Sequence, residues 1–310
     1  MRTAGIFAAV AISFASVHAR ADTSKAWTAA KAGLPADAKI VIGIDLAAIQ
    51  KTDLFATYYP KLLEKADVSK MIGTMKGGSC KVDPLAAVQG MVVAMSADQQ
   101  DGAIYLAVSG IDRTKLSSCL QVAIQEKADK TAKVSLKQDG NITQVSDGKD
   151  TAFIGWAGKD VIVVSLHAQD KPSLVKWMGG KGALAKSELG KSLGKLNTAA
   201  TLWGAGEATK EVEPGVTVKG GYGAVTFAKG NLDADVHAVM ASAAQAATMA
   251  TSTKKQLDAA KQGQLPPAIV TMLKAVTIAP ANDEVVLKGS FVEKDLLGIL
   301  AMTLGGFGGP

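Results

Sequence analysis

The chain of 310 residues reads as an α+β protein: mainly antiparallel sheet, with helices packed on one side. Three observations point there. Short runs with period-two alternation are joined by hairpin turns, as in GMVVAMS–ADQQDG–AIYLAVSG. Helical segments follow those hairpins. The order hairpin, helix, hairpin, helix then recurs in the second half, which suggests two diverged β-hairpin–helix repeats.

The first element is a helix from Ser24 to Ala32, stopped by Leu34-Pro35. KIVIGIDLAAI follows as a strand with Ile40, Ile42, Ile44 and Leu46 on one face. Leu54 to Ala66 is a helix carrying Tyr58, Leu62 and Leu63. After the quoted hairpin, Asp112 caps the helix RTKLSSCLQVAIQEKAD. KVSLK, NITQVS and TAFIGW–AGKD–VIVVSL form a meander, and Pro172 opens the short helix PSLVKWM.

GGKGALAKSELGKSLGKL marks a boundary near residues 179–196. Beyond it TAATLWGAG takes the place of IVIGIDLAA. YGAVTFAKGNLDADVHAVM is a hairpin, SAAQAATMATSTKKQLDAAK a helix, LKAVTIAP–AND–EVVLKGSF a second hairpin and EKDLLGILAM a final helix. The expected organisation is a leader over residues 1–21, a first half over 22–180 and a second half over 181–310.

The leader reading rests on MRTAGIFAAVAISFASVHARADTSK. Arg2 precedes an apolar run, and Ala19-Arg20-Ala21 is a small-x-small cleavage signal. The run falls short of the roughly 20 residues a membrane span requires, and nothing downstream reaches that length. The mature chain is expected to begin at Asp22, in a periplasm or outside the cell. A buried N-terminal helix is the competing reading.

Export changes how Cys80 and Cys119, the two cysteines of the chain, are read. Thiols in an oxidising compartment pair, and no C-x-x-C spacing suggests metal or redox chemistry. A Cys80–Cys119 disulfide is expected, against the alternative of two separate buried thiols.

Composition narrows the function classes. Apolar residues make up 48% and charged residues 20%, which is globular. The net charge of +6 is carried by lysine, since Arg113 is the one arginine beyond the leader. Readers of phosphate and base edges rely on arginine forks and stacking aromatics. Aromatics are 5% here, so nucleic acid is not an expected partner.

Four local patterns carry possible chemistry. Ala185 to Ser192, AKSELGKS, fits a relaxed phosphate loop, but Glu188 and Leu189 crowd it and no strand precedes it. Gly190-Lys191-Ser192-Leu193-Gly194 spells G-x-S-x-G without a strand leading in. Asp45 ends the first strand, as a cap or in a cleft. In NLDADVHAVM, Asp233, Asp235 and His237 alternate and so share one strand face. They are the candidate metal ligands, suited to zinc or manganese. The competing reading is a half-buried strand with a wet polar face. His167 is read as a surface residue.

LPADAKIVIGIDLAAI, the run Cys80, Asp83, Pro84, Leu85 and the helical Cys119 together resemble exported α+β proteins of Gram-negative bacteria, of the myxobacterial type. The resemblance covers the first half. It implies export and a duplicated fold, and it brings no assigned activity, catalytic residue or cofactor. The expected function is that of an exported non-enzymatic binding or envelope-associated scaffold protein of unknown ligand. The alternative is a periplasmic metal-dependent or serine hydrolase.

Overall fold

The computed structural model describes residues 23–64, 69, 72–73, 75–77, 80–127, 134–147, 151–166, 170–263 and 265–297. The proposed leader over 1–21, His167 and the end of the final helix beyond residue 297 lie outside them.

The chain runs α1 (Thr23–Gly33), β1 (Ile40–Asp45), α2 (Leu46–Ile49), α3 (Asp53–Leu63), α4 (Pro84–Ala87), β2 (Val88–Met95), β3 (Gly102–Val108) and α5 (Arg113–Lys127). Then come β4 (Ser135–Asp139), β5 (Ile142–Ser146), β6 (Thr151–Trp156), β7 (Val161–Ser165) and α6 (Lys171–Met178). A 3₁₀ turn (Ala183–Lys186) and α7 (Glu188–Gly194) form the connector. The second half holds β8 (Leu202–Glu213), β9 (Val216–Ala228), β10 (Asn231–Met240), α8 (Ala243–Gln262), α9 (Pro267–Lys274), β11 (Val276–Ala281) and β12 (Glu284–Val292).

These strands make one 12-stranded sheet in the order β11-β12-β10-β9-β8-β1-β2-β3-β7-β6-β5-β4. Neighbouring strands pair antiparallel throughout. The two halves therefore share a single sheet, joined where β1 pairs with β8. Outward from that seam the order is β1-β2-β3-β7-β6 on one side and β8-β9-β10-β12-β11 on the other. Strand for strand these are the same order, with the β4–β5 hairpin added at one edge.

Packing at the seam is specific. Gly43 lies opposite Trp203. A Cβ on Gly43 would sit 2.1 Å from the Trp203 ring, so glycine is what lets the indole lie flat across β1. Trp27 of α1 meets Trp203 edge to face at 5.0 Å, an arrangement favoured by the ring quadrupoles. Trp203 is 1% exposed. Helix α1 is thus fixed over the joint, with Ala26, Ala30 and Leu34 buried beside Val41 and Val92.

Helices cover both faces of the sheet, not the single face expected. The cause is visible in β3, where every residue is buried. Ala103, Tyr105 and Ala107 pack toward α1 and α6, with Leu174 and Trp177. Ile104, Leu106 and Val108 pack the other way, in one cluster with Ile111 just before α5 and Leu116 in its first turn. Both parities of the strand are apolar, so both need cover. In the second half, Tyr222 belongs to the α1-side core and pairs directly with His237. Ala238 alternates to the opposite side, where Met240, Val285, Ala246 and Ala250 form a separate core under α8. Helices α5 and α8, each following the third strand of its half, therefore lie on the same face.

The outer reach of β8 and β9 goes beyond the strands expected from the sequence. Both strands extend past β1 through Lys210, Glu211 and Glu213, turning at Gly215 with φ +74°. The β8 part of that stretch is charged and largely exposed and shows no apolar period, whereas Val216 and Val218 of β9 alternate into the core under α8. Helix α9, which opens with Pro267 in its first turn, is likewise additional to the expected elements.

Cys80 and Cys119 form the expected disulfide, with Cα atoms 4.5 Å apart and both residues buried. It ties the loop before α4 to the middle of α5. Arg113, at the start of the same helix, donates to Gly140 O at 2.8 Å. Its guanidinium also lies 5.7 Å from the centre of the Trp156 ring. Among the described side chains of α5, Leu116 and Cys119 are the buried ones, so the crosslink is a principal tie of this helix to the loop before α4. Reduction, or a Cys80→Ala/Cys119→Ala pair, is expected to destabilise the protein by roughly 3–4 kcal/mol in the chain-entropy model. Chemical denaturation with and without reductant measures this; an unchanged midpoint would show that the bond holds nothing in place.

Candidate functional site

On the α1-side face, helix cover among the described residues stops partway across the second half. There the sheet forms an open cleft of about 530 Å³. Its floor comes from β9, β10, β12 and β11, and its wall from the segment after α7, including Lys195, Leu196 and Asn197.

Strand register arranges the floor in rows. Thr226, Asp233 and Ser290 lie side by side. The next row is Ala224, Asp235, Lys288 and Thr277. The third holds Tyr222 and His237 beside Val286. Asp233, Asp235 and His237 do share one face and line one cleft, as their alternation predicts.

The centre of the charge network is Glu284, which the sequence reading did not single out. Its side chain is 11% exposed. It accepts from Lys195 Nζ at 2.6 Å and from the Tyr222 hydroxyl at 2.7 Å, and faces His237 Nδ1 at 2.8 Å. Burial opposes its charge, but these hydrogen bonds and the Lys195 ammonium outweigh burial and hold the carboxyl below the usual glutamate range. Burial and the neighbouring Glu284 carboxylate push the Tyr222 phenol up. The Tyr222 and His237 rings stack with centroids 4.5 Å apart.

The other ring nitrogen, His237 Nε2, lies 3.1 Å from Asp235 Oδ1. The contact is close enough for an ion pair but off the line of a hydrogen bond, so that oxygen has no hydrogen-bond donor. Asp235 Oδ2 pairs with Lys288 at 3.0 Å. Both nitrogens of His237 thus face carboxylates of the protein itself. Among the described residues no three His, Cys, Asp or Glu side chains are grouped to hold a metal ion.

The other sequence patterns resolve into structure. Ser192 of the G-x-S-x-G run lies inside α7, not on a strand-to-helix turn. Ser187 caps that helix, accepting from Gly190 N at 3.0 Å. A Cβ on Gly190 would lie 2.1 Å from Leu184 O, so this glycine serves close backbone packing. Leu189 and Leu193 are buried, and Glu188 pairs with Lys191. Neither a phosphate cradle nor a nucleophile elbow is formed there. Asp45 is an N-cap, accepting from Ala48 N at 2.8 Å.

A second cleft, of about 610 Å³, lies between α1 and the β6–β7 turn, beside Tyr105 and Met178. At its rim Lys25 pairs with Asp160 at 3.2 Å.

No family model matches the chain, and no curated protein matches it. Among solved structures, three crystal forms of TP0453 are similar over 88% of this chain. They are 8%, 7% and 10% identical, with TM-scores of 0.47, 0.45 and 0.44, and 97%, 96% and 96% of those chains are covered.

Glu284→Gln is expected to cost about 2 kcal/mol or more near neutral pH, since it weakens charged hydrogen bonds at a nearly buried site. The pH dependence has a definite sign. A carboxyl whose folded value is depressed stabilises fully above its ordinary value of 4.5. That contribution is lost as pH falls through the lower folded value. Denaturation midpoints from pH 7 to pH 3 should fall more steeply for the wild type than for Glu284→Gln. Parallel curves would remove Glu284 from the centre of the network.

Proposed function

We propose that this is an exported, non-enzymatic binding protein that holds a small ligand or an envelope component in the cleft on the second half of its sheet. The observation that carries the reading is the state of His237. Its Nδ1 is hydrogen-bonded to Glu284 and its Nε2 lies beside the Asp235 carboxylate, an arrangement that supports a structural role in the cleft over that of a general base poised on a nucleophile. What remains is a pre-formed concave surface with a few polar groups at fixed spacing, the usual form of a recognition site.

Export is part of the same proposal. It is supported by the leader-like residues 1–21, by the disulfide and by the resemblance to exported Gram-negative proteins. Among the described residues no helix is long and apolar enough to cross a membrane. We also infer a diverged duplication. Its support is the matching strand order on the two sides of β1–β8 and the shared face of α5 and α8.

The test starts with protein recovered from the periplasmic or extracellular fraction without chelator, which should begin at Asp22. Screening peptides, glycans and lipids by thermal shift should find a ligand that raises the melting temperature. Ala224→Trp, which fills the cleft floor, should abolish that shift while the far-ultraviolet circular dichroism is kept. Turnover of ester, peptide or glycoside probes that disappears in His237→Ala would overturn the proposal in favour of a hydrolase. Stoichiometric zinc or manganese lost in the same variant would do likewise.

A further inference from the structure

We infer that the cleft recognises a primary ammonium group, seated on the row formed by Thr226, Asp233 and Ser290. This deepens the binding reading above and rests on it.

The inference comes from charge accounting within the cleft. Lys195 is engaged by Glu284 and Lys288 by Asp235. That leaves Asp233, which is exposed, lines the cleft and has no ion-pair partner among the described residues. The cleft therefore offers one open carboxylate, with its cations already committed.

The neighbours of Asp233 define the chemistry further. Strand register sets Thr226 directly beside it on β9 and Ser290 directly beside it on β12. Directly opposed residues on one sheet face have Cβ atoms about 5 Å apart. Two hydroxyls thus flank the carboxylate within reach of one small group. All three side chains line the cleft. An alkylammonium has three N–H donors and no acceptor, and this row supplies three acceptor side chains around one negative charge. A quaternary ammonium carries the same charge but has no N–H to donate.

The surroundings fit a short aliphatic chain behind the ammonium. Ala224 lies one row further along the floor, and Leu196 and Ala275 line the same cleft. The class of ligand is accordingly an aliphatic primary amine: a diamine, or the lysine side chain of a peptide.

The probe is 1,5-diaminopentane, with its permethylated bis-quaternary analogue as control, each titrated into the full mature protein. Binding is followed by the amide chemical shifts of residues 224–228, 231–237 and 286–292. The diamine should shift these amides and bind at least tenfold more tightly than the quaternary analogue. Asp233→Asn, an exposed substitution, should weaken the diamine tenfold or more, and Thr226→Val or Ser290→Ala severalfold. Equal binding of the two probes, no shift with the diamine, or an unaffected Asp233→Asn variant would each overturn the inference. The underlying reading fails separately: it is lost when filling the cleft with Ala224→Trp leaves binding of a screened ligand unchanged. A screened ligand without an amine, lost in Ala224→Trp but retained in Asp233→Asn, would keep the cleft and discard the ammonium.

Discussion

The pairing of β1 with β8 is the constraint on which the rest of the architecture depends. Each half alone would end in an open strand with unpaired backbone groups, an edge that proteins avoid exposing. Antiparallel pairing at Ile40–Ile44 and Leu202–Gly206 removes both edges at once. A glycine and a tryptophan settle the joint, because the Trp203 ring occupies the space a side chain at residue 43 would need. Helix α1, far from β8 in the chain, is anchored there through Trp27. The joint thus connects the N-terminal helix, both halves of the sheet and the connector after α6.

The same layout explains where the cleft lies. On the first half, α6 follows β7 and buries Leu174 and Trp177 against the α1-side face. On the second half, α7 covers β8 and β9 through Leu189 and Leu193. The polar sides of β10 and β12 lie beyond it. Glu284 then links floor to wall, since Lys195 leaves the end of α7 to reach it. The cleft is therefore held in shape by its own charged groups. For the proposed binding role, such pre-organisation would lower the ordering cost.

Much of the fold was legible in the sequence because the strands alternate or run continuously apolar between clear turns. GMVVAMS, AIYLAVSG and VIVVSL appear as β2, β3 and β7. Their continuous apolarity also carried the two-sided burial, which the one-sided expectation overlooked. The site was only half legible. The alternation of Asp233, Asp235 and His237 gave their common face, but not their partners. Glu284 is 47 residues from His237 and 89 from Lys195. β10 pairs with β12 rather than with its sequence neighbour β11, so no local pattern gives that register. One signal was available: an acid at the head of the apolar strand EVVLKGSF, where burial demands a partner. The serine and phosphate-loop patterns misled for a related reason. Their glycine and serine serve the cap and close packing of α7, and the spacing alone cannot separate that use from chemistry.

The two halves form one cooperative unit, held by the continuous sheet at β1–β8 and by helix α1 packed over that seam. Native-state hydrogen exchange tests it most directly. The amides of Val41, Gly43, Trp203 and Ala205 should exchange only through global unfolding, with one common free energy that falls in step with denaturant. A lower, separate free energy for β8, β9, β10 and β12, with β1 to β7 still protected, would contradict it and divide the protein into two independent domains.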